Sequence, residues 1–547
     1  MARMDERVAP DGSPKPASTA LRQIRDSAEA LLKEGKVGEA EELYLAALEA
    51  VLTKNRELEL LVAKLQRQRV PHKSERIDPN QLWLLVEKMS EIAPEPPVDV
   101  DTEAREDAQL TAEIDKVEDA TPRPEGKKRK ESAGWQSRGV PQEVQRVEPD
   151  PAAVKCPRCG KDRKCIGHDT TRRLELVPAH FVERIYELAK LACDTCKDGV
   201  TTAPAPDQVL ERSAVGASLL SHLVVSNKID HLPLHRLHRA YLRDGADIPV
   251  STLADWIGAA GKLVEPLVER LSRRVLKATL VRTDATGLLV LDSSTPENAV
   301  RGSIWCYVGD DRDVVFKYTP TGEGETGPWQ FLAGREGYIQ ADAHAVFDRL
   351  FNGEVASAVE VGCLAHARRH LIELQETDVR VAYPLQLIAR LYRLEHLADV
   401  RGLTPTERTA FRQERTRPEL DKLKRWLIAT FKSEPPASAL AKAVAYSIHH
   451  WEALTRFVED GRISPDNNLC ERQLRDIACG RKAYLFAGSH DAATRAANLY
   501  SLTRTCLQYH VPPLPYFTDI FTKLGKGWSG ERLDQLLPNA WRAPQSR

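Results

Sequence analysis

The chain of 547 residues carries 78 Lys and Arg against 79 Asp and Glu, a formal net charge of -1, which excludes a uniformly basic, histone-like coat and leaves any nucleic-acid surface local. Its length exceeds what one core serves and divides into three or four units at ~150 residues each, so a single small binding module is excluded. No apolar run approaches the ~18 residues of a bilayer span, and the opening MARMDERVAPDGSPKP lacks the apolar core of a signal peptide, so a cytoplasmic protein is expected. Ten cysteines are too sparse for a disulfide scaffold. Four of them stand in two Cys-x-x-Cys pairs, the pattern of metal ligation in a reducing compartment.

Residues 1–18 are expected to form an unstructured tail. Within the helical segment 19–90, Tyr44, Leu48, Val51, Asn55, Leu58, Val62 and Leu65 recur at alternating steps of four and three, the a/d seam of a short parallel coiled coil. Asn55 at an a position favours two strands and fixes register, so a homodimer or higher oligomer is expected. One amphipathic helix packed on its own domain is the other reading. From Glu91 to Asp119, eleven acidic residues stand against Arg105 and Lys116, behind Pro94, Pro96 and Pro97. The expectation for 91–150 is a disordered linker, first acidic and then basic at Lys127, Lys128, Arg129 and Lys130.

Cys156 and Cys159 are followed, after 33 intervening residues that read as strands, by Cys193 and Cys196. This predicts a zinc ribbon-like domain over 151–203, with the four thiolates on one structural Zn²⁺. Cys165 and His168 offer a rival set with the first pair. Residues 204–276 are helical by period. HLPLHRLHRAYLRDG, a turn at Ile248-Pro249, and Ser251 as N-cap to TLADWIGAAG give helix, turn and helix. A DNA-binding pair has this form, with Arg236 and Arg239 as candidate phosphate contacts; a plain helical hairpin is the alternative.

From Ala278 the period changes from 3.6 to 2. ATLVRTDATGLLVLD reads as a strand, a turn and a returning strand, with SIWCYVGDD and DVVFKYTP as two more. Asp284 thereby falls on a buried strand, where an unpaired carboxylate is costly to desolvate and calls for a cation. YIQAD is a short strand ending at Asp342, at the edge where α/β folds keep their chemistry, and a helix begins near His344. EVGCLAHARRHLIEL follows as strand and helix; its Cys363 and His366 read as packing and phosphate contact, with metal ligation as the alternative. Residues 376–460 are strongly helical. Pro465-Asp466 then starts a helix that places Asn467, Asn468, Glu471 and Arg475 on one face. Asp284, Asp342 and Glu471 make three hard oxygen ligands suited to two Mg²⁺ (or Mn²⁺) ions ~4 Å apart, an arrangement for phosphodiester displacement. Arg472, Arg475, Arg481 and Lys482 beside them are candidate DNA-backbone contacts. Asp292, Asp310, Asp311 and Asp313 read as caps and turn formers.

The strings RTDATG, YIQADAHAVFDRLF, VGCLAHARRH and PDNNLCERQLRDIACGRKAYLFAGS, in this order, resemble the insertion-sequence-66 family of bacterial transposases. The resemblance extends upstream through DHLPLHRLHRAYLRDGADIPVSTLADW and the cysteine pairs to KSERIDPNQL at 73–82. It implies a multidomain α+β protein whose ribonuclease-H-like α/β catalytic domain, 277–375 and 461–524, is split by a helical insertion at 376–460 and followed by a C-terminal tail, 525–547. By resemblance, Asp284 and Asp342 match the two catalytic aspartates of the DDE class and Glu471 matches its glutamate. Ala285 stands where the family commonly has an acidic residue, and Ala343 and His344 depart from its usual residues after the second aspartate. The implied activity is binding of an insertion sequence's ends, cleavage, and joining of 3′-hydroxyl ends to target DNA. The implied partners are terminal inverted repeats, target DNA and small accessory transposition proteins. A catalytically inactive zinc-containing DNA-binding regulator is the alternative.

Overall fold

The computed structural model describes residues 100–120, 180–192 and 200–544, with the isolated positions 33, 158 and 161. The heptads, the basic cluster at 127–130, and Cys156, Cys159, Cys165, His168, Cys193 and Cys196 lie outside the described residues. Around the second cysteine pair, β1 (Lys190–Ala192) pairs antiparallel with β2 (Val200–Thr202). Residues 180–189, expected to hold strand, have none assigned. Among the described residues no helix is long and apolar enough to cross a membrane.

The segment expected to be an unstructured linker contains a helix, α1 (Val100–Ala120). Composition hides its apolar seam: Leu110 and Ile114, spaced by four, are buried against Leu394, Leu397, Ala398 and Phe411. Four further helices follow, α2 (Ala217–Lys228), α3 (Leu234–Arg243), α4 (Val250–Leu263) and α5 (Glu265–Lys277). Leu223, Leu237, Tyr241 and Leu253 close the seam between α2, α3 and α4. Ser251 is not the cap of α4. The extended backbone of Pro249 occupies that position, and the Leu253 N–H already donates to the Pro249 carbonyl at 3.1 Å, so Ser251 lies inside the first turn.

Five strands form one open mixed sheet in the order β5-β4-β3-β6-β7: β3 (Leu280–Leu291), β4 (Ala299–Gly309), β5 (Asp313–Thr319), β6 (Tyr338–Gln340) and β7 (Val359–Val361). β3, β4 and β5 run antiparallel, whereas β6 lies parallel to β3 and β7 parallel to β6. This mixed α+β domain is consistent with a ribonuclease-H-like fold. The turn expected within ATLVRTDATGLLVLD is absent. β4 pairs with β3 without a break from Val281 to Leu291, so the segment is one long strand. The tight turn comes instead at Asp310 and Asp311, both with positive φ, a conformation aspartate tolerates better than most residues.

Alternation along β4 sends Trp305 and Tyr307 into one core with α5, and Ile304, Cys306 and Val308 into another. The second core is closed by α13 (Asn468–Tyr484) and α14 (His490–Gln508) through Cys470, Leu474, Ile477, Ala497 and Tyr500. β5 is an edge whose free amides meet side chains rather than another strand. The Ser501 hydroxyl accepts from Phe316 N–H at 2.8 Å and Thr505 from Val314 N–H at 3.0 Å, one helical turn apart on α14.

Between β7 and α13 run α7 (Leu364–Ile372), α8 (Ala382–Val400), α9 (Pro405–Phe411), α10 (Arg417–Ser433), α11 (Ala439–His449) and α12 (Trp451–Thr455), built on their own core of Leu387, Leu391, Leu423, Leu427, Val444 and Phe457. α6 (Pro328–Phe331) is one turn before β6, and α15 (Pro513–Gly525) follows α14. The segment after 525 is not a free tail. Leu533, Leu536, Leu537 and Trp541 join the main core, and the Trp541 indole N–H donates to Asp519 at 2.9 Å.

Candidate active site

Arg282 and Gln340 are partners in the parallel pairing of β3 with β6. Two residues further along each chain stand Asp284, still within β3, and Asp342, just beyond the end of β6. Asp342 is half-buried and is followed at once by a 3₁₀ turn, Ala345–Leu350, capped by the His344 ring, where a helix was expected. The crevice beyond these strand ends is where open α/β sheets place ligands.

The third carboxylate is brought in by a stitched loop. Arg282, almost fully buried, donates to Asp311 at 2.7 Å, to the Asp466 carbonyl at 2.9 Å, and to the Gln340 side chain. Gln340 donates to the carbonyls of Gly362 (3.1 Å) and Ser464 (2.9 Å). Asn467, fully buried, donates through Nδ2 to the Thr283 carbonyl at 2.9 Å, while its N–H donates to Cys363 Sγ at 3.3 Å. Residues 464–467 are thus bonded to β3, β6 and the start of α7, and one turn into α13 stands Glu471, near enough to Asp284 for its charge to act on it. Asn467 therefore does not share the outward face with Arg475, as its spacing suggested; it is the clasp of the helix start.

Burial pushes the Asp284 carboxyl up to about 7 despite the hydrogen bond its oxygen accepts from Ala285 N–H at 2.7 Å. The negative charges of Asp342 and Glu471 add to this, and Arg369 opposes it. Glu471 lies 3.9 Å from His366 Nδ1 and 3.8 Å from Arg369 Nη2. Its buried Oε1 and the facing His366 Nδ1 both lack hydrogen-bond partners. Burial and the Arg369 charge hold the His366 imidazole below its ordinary value, so a neutral ring facing a carboxylate is favoured. Cys363, His366 and Glu471 present ligand atoms within 4.8 Å of one another, but burial raises the Cys363 thiol to about 11 and its sulfur is already an acceptor for Asn467. Glu103, Glu106 and Glu419 also converge; Arg390 and Lys422 already supply the positive charge there.

Beside Glu471 a cavity of about 510 Å³ is lined by Ala365, Arg368, Arg369, Ile372, Ala389, Tyr392 and Asn468. Arg368 and Arg369 are exposed. Arg472, Arg475 and Lys482 are exposed on α13, but Arg481 is half-buried and spends its guanidinium on the Gly287 carbonyl and the Thr286 hydroxyl. Arg236 and Arg239 are exposed on α3, in the separate helical region. Arg282, Gln340 and Tyr392 were not singled out from the sequence; the first two open RTD and QAD, two residues before each aspartate, and that spacing was the available signal. Asp311 and Asp313 are more than turn formers. Asp311 is the counter-ion of Arg282, and Asp313 pairs with Arg274 at 2.9 Å and accepts from Tyr509.

Residues 212–495 match the sequence pattern of the Transposase IS66 family. The chain is 30% identical over 407 residues to the uncharacterized protein y4qI of Sinorhizobium fredii, covering 72% of this chain and 74% of that one. It is 28% identical over 518 residues to the uncharacterized protein y4hP of the same organism, covering 89% and 88%. The match spans the sheet, the helical insertion and the stitched loop that carries Glu471, and on this ground the chain belongs to the IS66 family of transposases.

Proposed function

We propose that this chain is an active DNA transposase in which Asp284, Asp342 and Glu471 bind two divalent cations, Mg²⁺ or Mn²⁺. The carrying observation is the stitched loop, which bonds the start of α13 to β3 and β6 and so brings Glu471, one turn on, toward a half-buried Asp284. The orphaned Glu471 Oε1 and an all-oxygen donor set suit a hard cation. Such ions, when bound, supply Lewis acidity to the attacking and leaving oxygens of phosphodiester displacement. The chain's own residues do the rest. Arg282, Gln340 and Asn467 hold the two strands and α13 in register, Arg368 and Arg369 offer charge to phosphates in the adjoining cavity, and Tyr392 and Ile372 wall it. DNA held there, and on α3 through Arg236 and Arg239, is placed by contacts that do not depend on the three carboxylates.

The reading extends to the ends of an insertion sequence and target DNA as substrates, with small accessory proteins as further partners. It also includes a structural Zn²⁺ on Cys156, Cys159, Cys193 and Cys196, and a homodimer joined through 19–90; metal content and sedimentation mass of the intact chain check these two. The central test is Asp284→Asn, Asp342→Asn and Glu471→Gln, each nearly isosteric and each removing one ligand charge. All three are expected to shift terminal-repeat DNA in a gel within about threefold of wild type, while Mg²⁺-dependent cleavage and strand transfer fall by at least ~10³. Wild-type cleavage by the Glu471→Gln protein would displace Glu471 from the site, and absence of cleavage in the wild type would leave a DNA-binding regulator.

A further inference from the structure

The acidic helix α1 lies on the helical insertion along a line of cations. Glu103 and Glu106 meet Arg390 at 2.7 and 2.9 Å and Lys422 at 3.0 and 2.6 Å. Asp107 accepts from Arg390 at 2.7 Å, from Gln386 at 2.6 Å and from Arg393. Glu113 pairs with Arg401 and, at 3.1 Å, with Arg415; Glu118 lies 3.0 Å from His396. Burial would push Asp107 up, but the Arg390 and Gln386 hydrogen bonds and the charges of Arg390 and Arg393 outweigh it and hold it below its ordinary value.

Most of this positive face is balanced by α1 alone. The insertion's own Glu419 serves Arg390 and Lys422, whereas the carboxylates that Arg393, Arg401 and Arg415 meet among the described residues all lie on α1. The apolar part of the contact is small, Leu110 and Ile114 with Val117 beside them. The same helix α8 joins this face to the candidate site. Its Ala389 and Tyr392 line the cavity with Arg368 and Arg369, and its Arg390 and Arg393, one residue further round, lie under α1. From Glu103 to Glu118 the carboxylates span ~22 Å at 1.5 Å per residue. Duplex DNA presents ~13 phosphates over that length, a denser charge than the helix offers.

We propose that the cationic face formed by Arg390, Arg393, Arg401, Arg415 and Lys422 is a surface for the phosphate backbone of duplex DNA, that it continues the cavity beside Glu471, and that α1 covers it until DNA displaces the helix. The proposal rests on the transposase reading only in taking DNA as the ligand. DNA and α1 compete for the same cations, and the apolar seam returns the helix when DNA leaves.

Hydrogen exchange of the full-length Glu471→Gln protein, with and without a 40-base-pair duplex, tests this without disturbing the helix. Peptides covering 100–120 are expected to lose protection at least tenfold on DNA binding, while 385–425 keep theirs. A second arm neutralises the helix with Glu103→Gln, Glu106→Gln, Asp107→Asn and Glu113→Gln, the seam left intact, and reads duplex affinity by fluorescence anisotropy. About tenfold tighter binding is expected. Adding Arg393→Gln, Arg401→Gln and Arg415→Gln should erase the gain and reduce the slope of log affinity against log salt by about 2–3. Continued protection of α1 in the complex, unchanged affinity of the neutralised protein, or no duplex binding at all would overturn the proposal and leave α1 a fixed brace. Because exchange and affinity are read without cleavage, an inactive wild type that still releases α1 refutes the catalytic reading alone. A cleaving wild type whose α1 stays protected refutes this one alone.

Discussion

At the proposed metal site, Asp284 sets function against stability. Burial holds its carboxyl near 7, so the folded chain binds this proton more tightly than the unfolded chain does. Stability therefore declines as pH rises from the ordinary carboxylate range toward 7, and the full cost is present above that. Asp284→Asn removes the cost: in chelator-treated protein at pH 8 it should stabilise folding by about 1–3 kcal/mol, shrinking to nothing near pH 4. Thermal melts followed by circular dichroism at both pH values measure it, and a lower melting temperature at pH 8 would mean that neighbouring groups already satisfy the charge. The strand position of Asp284 was legible in the alternation around RTDATG. What fixes its surroundings was not, because Arg282 draws its partners from Asp311 and from the Asp466 carbonyl, positions that only the fold brings together.

Among the elements, the helical insertion was legible from its period, and its attachment was not. It rejoins the sheet at His450, between α11 and α12, where burial and the neighbouring His449 charge push the imidazole down to about 4. Glu360 stands 3.9 Å away, but its own burial raises it and weakens it as a counter-ion. A depressed histidine contributes stability that is present above its unfolded value near 6.5 and is lost as pH falls toward 4. His450 should account for about 2–3 kcal/mol of acid destabilisation over that window. His450→Gln is expected to flatten urea-unfolding free energies between pH 6.5 and 4, and an unchanged slope would assign the loss to other groups. Two of the element-level misreadings share a physical cause. DATG has the small residues of a turn, yet β4 supplies a continuous partner to β3; the acidic run has the composition of a linker, yet cations on α8 and α10 neutralise it.

At the scale of the molecule, the helices before the sheet are locked to those after it. Gly261 on α4 crosses α14 so closely that a Cβ there would stand 2.6 Å from the Arg495 carbonyl oxygen, and Asn498 donates to the Gly261 carbonyl at 3.3 Å. Gly261→Ala should therefore cost about 1–3 kcal/mol and lower cleavage more than DNA affinity, since it shifts α3 and α4 against the site. Gly258→Ala, whose Cβ would meet the Arg495 side chain at an ordinary 3.6 Å, is the matched control; equal effects from the two would remove the packing explanation. The helices themselves were readable from periodicity, whereas their crossing depends on a glycine that the pattern alone gave no reason to notice.

The order in which the sheet is completed has a consequence during synthesis. β3 emerges from the ribosome early, but its clasp through Asn467, and the hydroxyls of Ser501 and Thr505 that satisfy the β5 edge, are made near the end of the chain. A copy interrupted anywhere in the insertion has neither Glu471 nor the cover for β5, and its α2 and α4 lack the α15 and α14 on which they pack. On the proposed reading such a fragment cannot cut, so decay of the gene from its 3′ end abolishes the reaction before it removes β3, the strand on which the site begins.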